Sequence, residues 1–400
     1  MSTASVETLR APAVAGAPSL AAVARAGFWV LIVAHVVAGW GTQRDIQWHL
    51  RIGRDSFWIA PHIMTYSGVT LMVLASFGVL AWTSWRALRG EREAGALRVL
   101  GITGTRGWHF AAWAILLTVL AAPIDDLWHR LFGLDVTLWS PPHLLALFGS
   151  AVSTLGCLLI AIEVYPARSL RARAALVLAG ALLYGGIRVT LDPSWLLAYS
   201  YGGVLFHTFA MLASLILPLA LVTVARLSGL RWAPVFAVLL SFAVGLAGQQ
   251  VARVGFAILK PMSFIGEEIA KDPSSAIATG REIAEKNQAV PPPSWPLRLA
   301  LPLVPAAALA LADPRRRPLA AAIAYGVTVL GVYTWFLSTL PAYASLMPSL
   351  VESALALAFT VALGAAGGAG SRRLSDRLVG APRASPAAEH AIAEATSPGR

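Results

Sequence analysis

The chain has 400 residues, 57% of them hydrophobic and only 13% charged, with a mean hydropathy of +0.67. An average soluble domain is about 25% charged, so this composition excludes a soluble globular protein and predicts an integral membrane protein. The formal net charge of +11 does not point to nucleic acid, because the positive residues sit at the ends of apolar runs, where anionic lipid headgroups account for them.

Apolar runs of about 20 residues cross a ~30 Å hydrocarbon core as helix. Ten occur in chain order, at about 23–41, 61–85, 107–123, 142–164, 173–190, 201–225, 233–256, 297–312, 318–340 and 349–370. The fold class expected is therefore all-α, a polytopic membrane helix bundle with the lipid bilayer as its first partner. Residues 1–20 and 375–400, rich in Ala, Pro, Ser and Glu, read as disordered tails. The first run ends in VVAGWGTQ without a small-residue cleavage site, so it reads as a retained helix.

Alternate short loops hold the arginines: Arg86, Arg89, Arg92, Arg98 and Arg106; Arg168, Arg171 and Arg173; Arg226 and Arg231; Arg315, Arg316 and Arg317; Arg372, Arg373 and Arg377. Loops enriched in this way face the cytoplasm. An even number of spans then puts both termini inside, in a cell inner (plasma) membrane. The single cysteine, Cys157, falls within a span and excludes a disulfide or a thiolate metal cage.

On the opposite, extracytoplasmic side, one sequence pattern is written twice. Asp45, Trp48, His49, Gly53 and Asp55 match Asp125, Trp128, His129, Gly133 and Asp135; after one inserted residue, Trp58, Pro61, His62 and Gly68 match Trp139, Pro142, His143 and Gly149. This reads as a parallel helix-loop-helix repeat over 21–164, followed by a remaining bundle over 165–374 with an outer loop at 257–296. Asp192, Trp195 and His207 form at best a degenerate third copy.

Asp45 and His49, like Asp125 and His129, are four residues apart and share one face of a helix. His62 and His143 each follow a proline suited to the first turn of the next helix, so each loop can return the second histidine to the Asp-His pair. One carboxylate with two neutral imidazoles suits copper, zinc, iron or nickel, with a coordination position left open. Single interfacial histidines are ordinarily hydrogen-bonded, and Trp48, Trp58, Trp128, Trp139 and Trp195 fit an aromatic belt. Gly53, Gly133, Pro61 and Pro142 are turn and cap residues. Asp55 and Asp135 either cap the following helices or orient a histidine. Ionisable groups next to hydrocarbon are costly and commonly functional, which singles out Asp45, His49, His62, Asp125, His129 and His143. Asp126, His35 and His207 are accessory candidates, and each lone histidine also fits an interhelical hydrogen bond. Arg188 and Arg253 also lie towards this side, whereas His109 and His390 do not qualify.

The spacing Asp45, His49, His62 and then Asp125, His129, His143 resembles the C subunit of the copper membrane monooxygenases, the particulate methane and ammonia monooxygenases. That family carries an Asp-His-His copper site near an Asn-His-His one. The resemblance implies copper at Asp45, His49 and His62, and a second site at Asp125, His129 and His143, with Asp125 standing where the family has asparagine. It covers residues 23–164 and implies partner membrane subunits and hydroxylation of a small apolar substrate. The chain is longer than such a subunit, and nothing in it resembles the complex's periplasmic copper-binding domain.

In the outer loop, SSAIATGREIAEKN reads as a short surface helix before a stiff proline run, with Glu267, Glu268, Asp272, Glu282 and Glu285 on a solvated face. Glu352 is a weak proton-relay candidate. The expected function is a membrane metal-binding protein with oxidoreductase or monooxygenase chemistry in a pocket walled by the first four helices. The competing classes are a transporter or channel for a metal ion or proton, and a haem protein with paired histidines. Transport calls for polar or helix-breaking residues at mid-membrane, and haem for histidines deeper in the helices.

Overall fold

A computed structural model of the protein describes residues 19–53, 57–132, 138–196, 201–275, 294–340 and 346–380, with isolated positions within 276–293 and 341–345. Residues 1–18 and 381–400 of the expected tails, and Asp55, Gly133, Asp135 and the proline run at 291–293, lie outside the described residues, as do the side chains of Asp192 and Trp195.

The chain is a multi-pass helical membrane protein. Among the described residues it forms α1 (Leu20–Arg51), α2 (Ala60–Leu88), α3 (Arg106–Phe132), α4 (Pro141–Val164), α5 (Leu170–Leu196), α6 (Thr208–Ser228), α7 (Ala233–Leu259), α8 (Ile265–Lys271), α9 (Trp295–Leu311), α10 (Pro318–Ser338) and α11 (Leu350–Val379). Nine of these, all but α8 and α9, are long and apolar enough to cross a membrane, α6 together with the 3-10 turn Gly203–His207 before it. The expected span at 297–312 corresponds to α9, a shorter apolar helix of 17 residues with Pro302 and Pro305 inside it. Helix α11 runs on to Val379, so the first residues of the expected C-terminal tail are helical.

Helix ends follow local chemistry. The Ser19 hydroxyl accepts from the Ala22 amide at 3.2 Å, capping α1. Prolines occupy the first turns of α2, α4, α7, α9 and α10, where a missing N–H leaves no bond unmade. Ser349 and Glu352 form a capping box at the start of α11. That cap is the role the structure gives Glu352, in place of the expected proton relay.

A two-stranded hairpin, β1 (Leu97–Val99) and β2 (Ile102–Gly104), interrupts the helical plan between α2 and α3. Leu100 and Gly101 turn it with φ of +49° and +84°, the left-handed pair of a type I′ turn. The Thr83 hydroxyl donates to the Thr103 carbonyl at 2.6 Å, and the Thr103 amide donates to Ser84 Oγ at 2.8 Å, which fixes the hairpin to the end of α2. Glu163 of α4 accepts from the Thr105 hydroxyl at 2.6 Å and the Gly107 amide at 3.0 Å, holding the start of α3.

Two antiparallel hairpins, α1–α2 and α3–α4, face one another through α2 against α3 and α1 against α4. Small residues set their closeness, as is usual where lipid supplies no hydrophobic drive between helices. A Cβ on Gly68 would lie 2.6 Å from the Ala38 amide and 2.8 Å from the Ala34 carbonyl; a Cβ on Gly149 would lie 2.8 Å from the Ala114 carbonyl and 2.9 Å from the Thr118 amide. The second half of the chain continues around this pair, with α5 against α4, α6 and α7, α11 against α6, and α7 back against α1.

Candidate metal centre

Asp45 and His49 stand on the last two turns of α1, and the helix passes unbroken through both. His62 is the third residue of α2, one position after Pro61. Asp125 and His129 occupy the same positions near the end of α3, and His143 is the third residue of α4, after Pro142. Each loop therefore folds the second histidine back onto the helical Asp-His pair, as the spacing predicts.

In the first group Asp45 Oδ1 lies 3.6 Å from His49 Nε2 and 3.2 Å from His62 Nε2. In the second, Asp125 Oδ2 is 3.5 Å from His129 Nε2, and Asp125 Oδ1 is 3.3 Å from His143 Nε2. Within each group one donor atom per residue falls inside a 4.8 Å radius of the others. Two ligands held at about 2.0–2.2 Å on a tetrahedral ion are about 3.3–3.6 Å apart, and each aspartate-histidine separation lies in or next to that range. Asp45 Oδ1 and Asp125 Oδ1 are buried and accept no hydrogen bond. A buried carboxylate oxygen that faces imidazoles without a hydrogen bond is costly, and a cation shared with those imidazoles is a partner that the donor set fits.

The two groups are neighbours. The His49 and His129 rings are 6.3 Å apart between centroids, and His129 lies 6.1 Å from His143 within its own group. Tyr66, one turn beyond His62, packs its ring 5.8 Å from that imidazole. Its position four residues after a ligand candidate is the signal by which the sequence could have disclosed it.

The accessory candidates separate from this centre. Asp126 pairs with Arg130 at 2.7 Å, away from the Asp125 group. His207 is buried beside the Thr334 hydroxyl at 3.3 Å and belongs to the contact with α10. His35 is buried ten residues before Asp45 on α1, which is about 15 Å along the helix. Arg253 is exposed. His109, set aside from the sequence, is accounted for: its Nε2 lies 3.3 Å from the Leu97 carbonyl of the hairpin.

A cavity of about 1060 Å³ opens beside the two groups, and Asp45, His62, Asp125 and His143 all lie on its wall. The expected pocket was walled by the first four helices. The cavity also takes residues from α5, α7, α9 and α10, among them Arg188, Ser241, Arg298 and Tyr333. These belong to the half of the chain in which the sequence pattern disclosed little chemistry.

Fold and site together define the class: a multi-pass helical membrane protein with two adjacent Asp-His-His groups able to hold metal. No protein-family model, curated protein or solved structure matches the chain.

Proposed function

We propose that the protein is an integral-membrane copper protein whose two adjacent Asp-His-His groups hold a pair of ions, and that it acts as a monooxygenase-like oxidoreductase on an apolar molecule entering from the lipid. The observation that carries this reading is the convergence of six residues from four helices into two groups of matching geometry. Copper is favoured over zinc or iron because mixed imidazole and carboxylate sites bind Cu(II) most tightly of the first-row divalent ions, and because of the resemblance in the spacing of the six residues.

In this reading Asp45 and Asp125 supply the negative charge, and the four histidines complete the donor sets and hold their orientation on helix ends. A bound metal pair supplies redox chemistry towards dioxygen. The cavity walls hold the substrate against the centre and keep bulk water out. We read α1–α2 and α3–α4 as two copies of one unit, supported by the matched packing of Gly68 and Gly149, each against the residues eleven and seven positions before its group's aspartate. We take α9 as a tenth crossing, with both termini cytoplasmic and the metal groups towards the outside of the plasma membrane. Partner membrane subunits belong to the same reading.

The test is metal analysis of the purified protein against a His49→Ala, His129→Ala double variant. Equal metal content in the two, or no metal in either, rejects the reading; a Soret band in the wild type would replace it with haem. One observation favours transport as a second reading. Polar side chains of α4 and α7, such as Thr154, Ser241 and Gln249, line the same cavity as the two groups, as an ion path would. Metal-dependent flux in proteoliposomes, abolished by the same double variant, would select it.

A further inference from the structure

The cavity contains a polar atom that the metal reading does not use. His35, 6% exposed, lines the cavity from α1. Its Nδ1 lies 2.8 Å from the Leu31 carbonyl. A carbonyl oxygen can only accept, so Nδ1 carries the proton and Nε2 presents a bare lone pair. Nε2 is buried and has no hydrogen-bond partner; the Ser150 backbone faces the ring without satisfying it.

We propose that this cavity binds a neutral medium-chain amphiphile bearing a hydrogen-bond donor, of which a primary alcohol is the simplest case. Its hydroxyl donates to His35 Nε2, and its chain runs towards the two Asp-His-His groups. Three observations set this class. A cavity of about 1060 Å³ is at the upper end of the ~300–1,000 Å³ that accommodates drug-sized ligands, far beyond the needs of a one-carbon or diatomic guest. The separation of His35 from Asp45, about 15 Å along α1, gives the ligand its length. The cavity wall is mainly apolar, with Val69, Met72, Val119, Ala122 and Leu147 among its lining, which suits an alkyl chain.

The lone pair also decides against the charged alternatives. A carboxylate would set its own lone pairs against Nε2, and an ammonium group would be stripped of water at mid-membrane. A hydroxyl satisfies the acceptor without a charge. Whether this ligand is a substrate depends on the copper reading above; its binding does not.

The experiment uses the full-length protein in lipid nanodiscs and a decyl alcohol carrying a photoreactive diazirine on its chain, with labelled peptides mapped by mass spectrometry. Decanol and decane serve as competitors. Wild type is expected to show saturable labelling of cavity-lining peptides. Its preference for decanol over decane should fall about three- to tenfold in His35→Leu, the size of one neutral hydrogen bond, and persist in His35→Gln, which keeps an acceptor. Ser241→Phe, which fills the cavity from α7, should abolish saturable labelling whatever the state of His35. An Asp45→Asn, Asp125→Asn variant should keep the decanol preference even where metal is lost, so the two readings can fail separately. The proposal is overturned if labelling is non-saturable, as for a cavity holding only water, or if the preference is absent in wild type or unchanged in His35→Leu.

Discussion

His49 and His129, eighty positions apart in sequence, bring their imidazole rings to 6.3 Å between centroids with their planes 31° apart. Each belongs to a different Asp-His-His group, so metal bound in one group sits within the electrostatic reach of the other. Two cations at this range repel, and the two aspartates offset that repulsion. His49→Ala alone is expected to lower the metal-to-protein ratio by about half, and the double variant with His129→Ala to remove bound metal. Elemental analysis after exhaustive dialysis measures both. A single variant that empties both groups would mean the pair binds as one cooperative unit.

Metal occupancy should also depend on pH in one direction. A histidine ligates through a neutral imidazole nitrogen, so protons and metal compete for His49, His62, His129 and His143. Occupancy at fixed free metal is therefore expected to fall as the pH is lowered. Equilibrium dialysis over a pH series gives the curve; loss on raising the pH instead would contradict histidine ligation.

Helix packing is expected to control metal binding at a distance. Gly68 stands against the Ala34 and Ala38 backbone, and Gly149 against that of Ala114 and Thr118. Backbone cannot swing aside as a side chain does, so Gly68→Ala must separate α1 from α2. Overpacking of this kind costs about 1–3 kcal/mol. The separation also draws His62 away from Asp45, so metal should be lost from the first group, and Gly149→Ala should do the same to the second. Gly78→Ala is the control: its Cβ would meet nothing within 4 Å, and in a helix interior the change should be neutral or stabilising by about 0.5–1 kcal/mol. Thermal unfolding in detergent, read beside metal content, separates the cases.

The parts of this molecule legible in its sequence were those with a period or a fixed spacing. Uninterrupted apolar runs disclosed the spans, because a helix in lipid must satisfy its backbone internally and be apolar along its length. The Asp45 to His49 interval disclosed a shared helix face, and Pro61 and Pro142 marked where the partner histidine would return. What the sequence could not disclose was lateral neighbourhood. Nothing in the spacing says that α1 meets α4, or that α5 and α7 complete the cavity wall, because any face of an all-apolar helix can pack against a neighbour. The hairpin at 97–104 escaped because strands of three residues carry too little alternation to register. Glu352 looked functional as a lone acid near a span, yet it sits three residues after Ser349 in the pattern of a helix cap.

The turn after α1 links the candidate metal centre to the segment that precedes α9. Gly53 has a φ of +75°, a conformation that costs most residues about 1–2 kcal/mol. A Cβ there would also approach Ile265 Cγ1 to 2.5 Å. The Phe264 amide donates to the Ile52 carbonyl at 2.8 Å, and Ile265 is 7% exposed, so the start of α8 is docked on the turn between His49 and His62. Gly53→Ala adds both the backbone strain and the clash, and the less expensive relief is for the α8 segment to lift off. Hydrogen exchange at 260–271 should then rise, while the Gly266→Ala control, whose Cβ meets nothing within 4 Å, should leave it unchanged. If the segment also shields the metal centre, Gly53→Ala should speed metal loss to a chelator, with His49 and His62 still in place. Faster exchange at 260–271 with an unchanged chelation rate would mean that the segment rests on the turn without covering the site.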